Sequence, residues 1–480
     1  MLDNKRVGEN ILKNSLVFFF GTILDKIFSF IAIVLITRYL SEEEFGIFNY
    51  AIIYISFFAT FVDFGTESIL IREISVNPNG ARILLGNNIL MKIFLTILAI
   101  VLSYVITVFA DLSYKKELLI YIMFINLIFS PKLPTLKNSF ESVFKVKLNV
   151  GFPVMMNILS SVVLLTIIII EIQYECSLEL ITLGYVLSGL PGFILIVLKS
   201  KEIIKPVFSI DLRIWRYFLK ESFPLAFYGL LINLSNRIDV LMLSWMKGDV
   251  EVGYYSAAFR LVLPLSFIPV SLIVSLLPVM SKLYSEKDEN LKKIYQFSLN
   301  VMLFISIPLS VIIFSTSQQI INVIYSSRYF PSEPGLKILV VSQIFLFLNV
   351  IMFHLVISIG KQYKGLYVVI GMVIINIIFN IFLIPRYGLV GASISTVFTE
   401  FFATIFWIIF TKNYLKNFPF LTLFKIILIN IICIIFMKFI LYEYLILKIF
   451  GFLVIQMFLL IMFRVFSKEE ISEFRTSIKR

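Results

Sequence analysis

Residues Lys220–Tyr284 read KESFPLAFYGLLINLSNRIDVLMLSWMKGDVEVGYYSAAFRLVLPLSFIPVSLIVSLLPVMSKLY. Two apolar runs, each long enough to cross a bilayer, enclose Asn233, Asn236, Arg237, Asp239 and Arg260. An ionised side chain in hydrocarbon costs about 2.5–3.5 kcal/mol on insertion scales, so such groups generally face a protein-lined, watered path. The stretch therefore predicts membrane-spanning helices around a conduit.

Composition extends that reading to the whole chain. Of 480 residues, 59% are hydrophobic and only 15% charged, with a mean hydropathy of +0.97. No water-soluble domain of ordinary composition fits these values. Apolar runs of about 20 residues recur from Ser15 onward, each sufficient for a spanning helix, and the period-two alternation of a β-barrel is missing. The formal charge of +12 resides mostly in short loops, so it marks topology rather than a nucleic-acid partner. Cys176 and Cys433 lie far apart with no ligand pattern around them, which points to inert thiols and no metal. His354, mid-span, reads as a packed neutral histidine, with a proton relay as the alternative. The first apolar run, from Ser15 to Tyr39, is too long for the core of a cleavable signal and is expected to stay.

The opening stretch also has a counterpart at a constant offset of 207 residues. Lys13, Ser15, Phe20, Leu24, Ile31, Glu44, Gly46 and Ala51 fall on Lys220, Ser222, Phe227, Leu231, Ile238, Glu251, Gly253 and Ala258. Further on, Gly184 falls on Gly391 and Ser188 on Ser395, as expected of a transporter built from parallel repeats. Spans are expected near 15–39, 45–70, 83–109, 118–136, 149–171 and 178–198, an N-lobe over 1–200. After a cytoplasmic linker at 201–216, a C-lobe over 217–412 holds spans near 218–246, 251–281, 294–317, 335–359, 365–384 and 389–411. Two accessory helices near 420–441 and 444–466 with a cytoplasmic tail complete residues 413–480. The fold class is thus all-α and polytopic, with about 14 transmembrane helices in two pseudo-symmetric six-helix lobes plus a C-terminal pair.

Lysine and arginine gather in alternate loops, including the sets Arg72 and Arg82, Lys132, Lys137, Lys145 and Lys147, and Lys199 to Lys220, whereas Glu171–Glu179 carries three glutamates and no base. By the positive-inside rule both termini are cytoplasmic. The loops are too short for a soluble catalytic domain, so a non-enzyme is expected. The triplet Glu42, Glu43 and Glu44 reads as a solvated turn.

On the first span Gly21, Thr22, Asp25, Ser29 and Ala32 recur at three- and four-residue spacing, a small and polar face around a mid-membrane acid, with Lys26 beside it. On the seventh, Gly229, Asn233, Asn236, Arg237, Val240 and Ser244 form a comparable stripe. Asp239 points to the other side from Arg237. Arg260 shares its face with Gly253, Ser256, Ala257 and Pro264. Lys26, Asp25, Asn233, Asn236, Arg237 and Arg260 are the candidate cavity residues, while Asp25, Asp239 and Glu400 are candidates for ion coupling; each has structural pairing as its bland alternative. Pro264, Pro269 and Pro278 break helix hydrogen bonds and serve either as hinges or as static kinks.

These residues lead to a resemblance. Lys13-Asn14-Ser15, the run Arg38 to Gly46, Asp63-Phe64-Gly65 with Ile71-Arg72-Glu73, and Arg237 to Leu243 resemble the polysaccharide transporters of the multidrug/oligosaccharidyl-lipid/polysaccharide flippase superfamily, the Wzx-like O-antigen flippases. The runs Val252 to Arg260 and Tyr387 to Ala392 resemble them more specifically. The resemblance implies two MATE-like lobes around a central cavity in the bacterial cytoplasmic (inner) membrane. It also implies an undecaprenyl-pyrophosphate-linked oligosaccharide as substrate, whose negative charge Arg237, Arg260 and Lys26 would hold. No cofactor is expected beyond a coupling H+ or Na+. Expected partners are membrane lipids and a polysaccharide polymerase with its chain-length machinery, and no nucleic acid. Rival readings are a cation-coupled multidrug antiporter, which calls for a more acidic cavity, and a membrane glycosyltransferase or polysaccharide polymerase, which calls for a longer external loop.

Overall fold

The computed structural model describes residues 4–130, 132–415, 420–440 and 445–462. The basic residues Lys416 and Arg464 to Arg480, assigned above to the cytoplasmic side, lie outside them. In chain order the helices are α1 (Asn4–Tyr39), α2 (Glu42–Asp63), α3 (Thr66–Val76), α4 (Ala81–Phe109), α5 (Tyr114–Met123), α6 (Asn126–Phe129), α7 (Leu136–Val146), α8 (Gly151–Gln173), α9 (Leu178–Leu187) and α10 (Leu190–Ile203). They continue with α11 (Leu212–Lys247), α12 (Asp249–Val262), α13 (Phe267–Ser285), α14 (Asn290–Ile324), α15 (Glu333–Ser358), α16 (Tyr363–Tyr387), α17 (Leu389–Thr411), α18 (Phe420–Ile440) and α19 (Leu445–Met462). Among the described residues there is no strand. Among the described residues ten helical stretches are long and apolar enough to cross a membrane, and the protein is an all-α polytopic membrane protein. Large side chains such as Phe94, Phe109 and Phe382 stand exposed on these helices, where hydrocarbon rather than water is the natural neighbour.

Helix boundaries keep the offset seen in the sequence to within one residue. α1 and α11 are each 36 residues long, and the first residue of α2, Glu42, corresponds to the first residue of α12, Asp249. Caps explain several ends. Ser41 Oγ accepts from the Glu44 backbone N–H at 3.2 Å while Glu44 Oε2 accepts from the Ser41 N–H at 3.1 Å. That reciprocal pair satisfies two orphan donors, and Glu42 to Glu44 complement the helix dipole. The acidic triplet is therefore the first turn of α2 and not a separate turn. Its repeat counterpart works differently: Glu251 Oε2 accepts from the backbone N–H of Leu389 at 2.7 Å and so caps α17. The residue just before the run Val252 to Arg260 thus meets the run Tyr387 to Ala392 at one bond.

The stretch Asp63-Phe64-Gly65 ends α2. Phe64 and Gly65 take left-handed φ of 48° and 70°, and Asp63 Oδ2 accepts from the Gly65 N–H at 3.2 Å. A Cβ on Gly65 would stand 2.8 Å from Leu225 Cβ, so both conformation and space call for glycine. Gly391 is a second such place, because its Cβ would meet the Leu383 carbonyl. Among the prolines, Pro264 lies in a 3-10 turn at Leu263–Ser266 that separates α12 from α13, and Pro278 lies inside α13.

The chain forms two compact units, Met1–Ser244 and Trp245–Arg480. The first is centred on Ile69, Leu70, Ile89, Phe140, Phe144 and Phe218. The second is centred on Tyr295, Leu303, Phe347, Met352 and Trp407, with α18 packed on α14 and α19 on α18. All but the last turn of α11 falls in the first unit. Its own polar bonds account for this: Asn233 Nδ2 donates to the Ser56 carbonyl at 2.9 Å and to Thr60 Oγ1 at 3.0 Å, and Lys116 Nζ donates to Ser244 Oγ at 2.8 Å. Near the start of α11, Arg72 reaches Tyr217 at 2.9 Å and Glu221 at 3.1 Å.

Loop charge supplies a first test. Reporter fusions after Arg82 and Lys205 are expected to score as cytoplasmic, and a fusion near Glu175 as external. A cytoplasmic signal from the Glu175 fusion defeats the orientation.

Candidate functional site

Two groups of polar side chains stand out in the first unit. On α1, Asp25 is half-buried and accepts from the Ser161 hydroxyl of α8; Ser161 Oγ lies 3.0 Å from Ser29 Oγ. The small polar face of α1 therefore packs against a matching serine on α8. Lys26 is exposed. Beside them is a residue read from sequence as a loop charge: Lys137, on α7, is only 1% exposed. Its Nζ donates to Asn157 Oδ1 at 2.6 Å and lies 3.2 Å from Glu141 Oε1. Burial pushes its ammonium below the usual lysine range, opposed by the charges of Glu141 and Asp25. A second buried base, Lys92 on α4, is fully enclosed, 2.6 Å from Asp63 Oδ1 and 3.2 Å from the Thr135 carbonyl. Glu67 of α3 holds Asn138 at 2.9 Å and Lys145, both of α7.

The second group is on α11. Asn233 is bound to α2 as described, one turn before Arg237, which is half-buried; Asn236 is exposed and Asp239 is 2% exposed. Along this helix the polar stripe runs from Asn233, held by α2, to Asn236, exposed, and Arg237, half-buried. A small cavity lined by Asn126, Ser130, Lys132, Ser160, Tyr185 and Ser188 also includes Ser161, the partner of Asp25.

In the second unit, Arg260 is half-buried and its charge reaches the Tyr325 hydroxyl, which donates to the Ala257 carbonyl at 3.2 Å. Tyr325 and Tyr329 pack with ring centroids 5.6 Å apart, and Tyr254 and Tyr329 at 6.1 Å, so Arg260 lies beside a tyrosine cluster. Glu400 is buried and accepts from Asn349 Nδ2 at 2.7 Å, while Thr404 Oγ1 donates to Asn349 Oδ1 at 2.8 Å. Asn349 thus spends both ends of its amide on α17. Replacing it with leucine leaves the Glu400 carboxyl buried without that donor, and a loss of about 1–3 kcal/mol in stability is expected, read as a lower thermal midpoint in detergent. An unchanged midpoint would remove the structural role from this pair. His354 Nδ1 donates to the Val350 carbonyl at 2.7 Å, one turn back on its own helix.

Among the described residues no three His, Cys, Asp or Glu side chains converge as metal ligands would. Arginine and lysine in these helices instead suit anions: a guanidinium holds two phosphate oxygens in a fixed fork, and lysine acts as a compact charge. Sequence reasoning missed Lys92 and Lys137. The only signal was that Lys92 falls inside an apolar run and that Lys137 and Glu141 lie one helical turn apart.

Comparison with known proteins narrows the class. A model for the polysaccharide biosynthesis protein family matches residues 11–284, and a MatE model matches residues 224–382. The chain is 23% identical over 408 residues to the capsular polysaccharide biosynthesis protein CapF of Staphylococcus aureus, covering 84% of this chain and 100% of CapF. It is also 23% identical over 404 residues to a putative O-antigen transporter of Shigella flexneri, covering 80% and 94%. Among solved structures, the lipid II flippase MurJ in an inward closed conformation superposes with a TM-score of 0.78 at 18% identity, covering 94% of this chain and 99% of MurJ; at that identity the likeness is one of fold. With more than half its length inside the first family model, this chain belongs to the polysaccharide biosynthesis protein family of the multidrug/oligosaccharidyl-lipid/polysaccharide flippase superfamily.

Proposed function

We propose that the protein is a flippase that turns an undecaprenyl-pyrophosphate-linked oligosaccharide, an O-antigen or capsule repeat unit, from the cytoplasmic to the outer leaflet of a bacterial cytoplasmic membrane by alternating access. The observation that carries this reading is the accessible part of the α11 stripe, where Arg237 and Asn236 remain reachable inside a protein whose relatives are named for capsular polysaccharide and O-antigen. Arg237, with Arg260 and Lys26, supplies charge for the pyrophosphate, and amide, hydroxyl and tyrosine groups suit sugar hydroxyls; the lipid tail stays in the bilayer. Asp25, Asp239 and Glu400 are the positions proposed for a coupling H+ or Na+. Both termini are placed in the cytoplasm, and a polymerase with its chain-length machinery is the proposed downstream partner.

Complementation of a flippase deletion tests the reading. The expected result is restored surface polysaccharide together with loss of the lipid-linked oligosaccharide trapped on the inner leaflet. Restored drug resistance in an efflux-deficient strain, with no surface polysaccharide, would favour the second reading, a cation-coupled multidrug antiporter, for which the MatE match over residues 224–382 speaks.

A further inference from the structure

The geometry around α8 points to a charge switch. We propose that Lys137 is the built-in counter-charge of Asp25, held away from it by Asn157 and Glu141 while a monovalent cation occupies Asp25, and closing onto Asp25 when that cation leaves. The inference rests on the reading of Asp25 as a coupling position.

Asn157 and Ser161 are four residues apart on α8, so they share a face with Cβ atoms about 5–6 Å apart. Asn157 accepts from Lys137 and Ser161 donates to Asp25. One helix face therefore holds a base and an acid side by side, each on a neutral residue. Glu141 adds a second hold on the base at 3.2 Å. In a medium of low dielectric, opposite charges kept apart are costly relative to the closed pair. Separation is stable where Asp25 has a cation of its own and Glu141 balances Lys137. When the cation departs, Asp25 becomes the stronger attractor. The flexible four-carbon stem of lysine can cover a shift of one helical turn.

The other charges near this site have contacts of their own: Lys132, in the cavity beside Ser161, lies 6.0 Å from the centroid of the Tyr185 ring. Lys145 of α7 is on Glu67 of α3, Lys92 of α4 is on Asp63 of α2, and Lys199 and Glu202 of α10 hold each other. Lys26, on α1 itself, is exposed. The neighbouring Asn138 on α7 stays on Glu67 of α3, so the movement is confined to the lysine side chain.

The test uses purified full-length protein in nanodiscs, treated at fixed pH with a carbodiimide, to which a protonated carboxyl gives its proton and then adds through its oxygen to form an acylurea, with modification of Asp25 followed by peptide mass spectrometry. Lys137→Met removes the competing charge and is expected to raise the Asp25 modification rate on the order of tenfold. Glu141→Gln frees Lys137 for Asp25 and is expected to lower the rate. Lys137→Arg should stay near the parent. Opposite shifts support the switch. Equal-direction shifts, as general loosening of the bundle would give, or no shift in either variant, overturn it. If Lys137→Met fails to fold, Glu141→Gln decides alone, and a rise or no change overturns the switch. The assay needs no transport, so the coupling reading fails separately: normal export by Asp25→Asn would remove it without touching the labelling result.

Discussion

Arg237→Ala is expected to abolish surface polysaccharide, a loss on the order of 100-fold or more, while protein abundance stays at the parental level. A charge-assisted contact contributes about 1.5–3 kcal/mol, which spans roughly 10- to 150-fold in an equilibrium constant. A doubly charged pyrophosphate left without its guanidinium inside the membrane loses more than one such contact. Arg237 is half-buried one turn beyond Asn233, whose amide already fixes this level of α11 to Ser56 and Thr60. The backbone there is thus held by a different residue, and removing the Arg237 side chain should leave the helix in place. Arg237→Lys is expected to restore only part of the activity, because an ammonium cannot hold two phosphate oxygens at once. Arg260→Ala should be milder. The check is surface polysaccharide by immunoblot normalised to membrane abundance. Normal export by a well-expressed Arg237→Ala protein defeats the assignment, and a fall in abundance instead marks the residue as structural.

The largest loss of stability is expected from Asp63→Asn. Lys92 is completely enclosed, and besides the Asp63 carboxylate at 2.6 Å it has the Thr135 carbonyl at 3.2 Å. Removing the acid leaves an uncompensated charge in the interior, a cost of about 3–5 kcal/mol. Asp63 also holds the left-handed turn at Phe64 and Gly65 through its second oxygen, so the same change loosens the α2–α3 break. Fluorescence-detected size exclusion after graded heating should show a clearly lower midpoint. Replacing both partners, Asp63→Leu with Lys92→Met, is expected to recover much of that loss, since a paired apolar substitution removes both desolvation costs. A double variant no better than Asp63→Asn would assign the loss to the turn rather than to the buried charge.

The membrane class, the helical period and the offset between halves were legible in the sequence, because each depends on composition and spacing along the chain. The equal lengths of α1 and α11 and the shared starts of α2 and α12 follow from those patterns. The capping of α2 by Ser41 and Glu44 was also written locally, in the serine followed three residues later by glutamate, although the triplet reads equally as a solvated turn. What a charge does was not legible. Lys137 and Lys145 have the same residue type and lie on one short helix, yet one is 1% exposed and the other 38%.

Only tertiary packing separates those two lysines, because burial depends on which helices arrive from distant sequence: α8 brings Asn157 to Lys137, and α3 brings Glu67 to Lys145. The same holds for Glu251, which matches Glu44 in sequence but caps α17 instead of its own helix. Hydrophobic patterning by itself determined that this chain crosses a membrane as helices in two related halves. Which polar groups pair within the helices was decided by contacts between residues far apart in the chain, since the cost of an unpaired charge in low dielectric is relieved only where those residues meet.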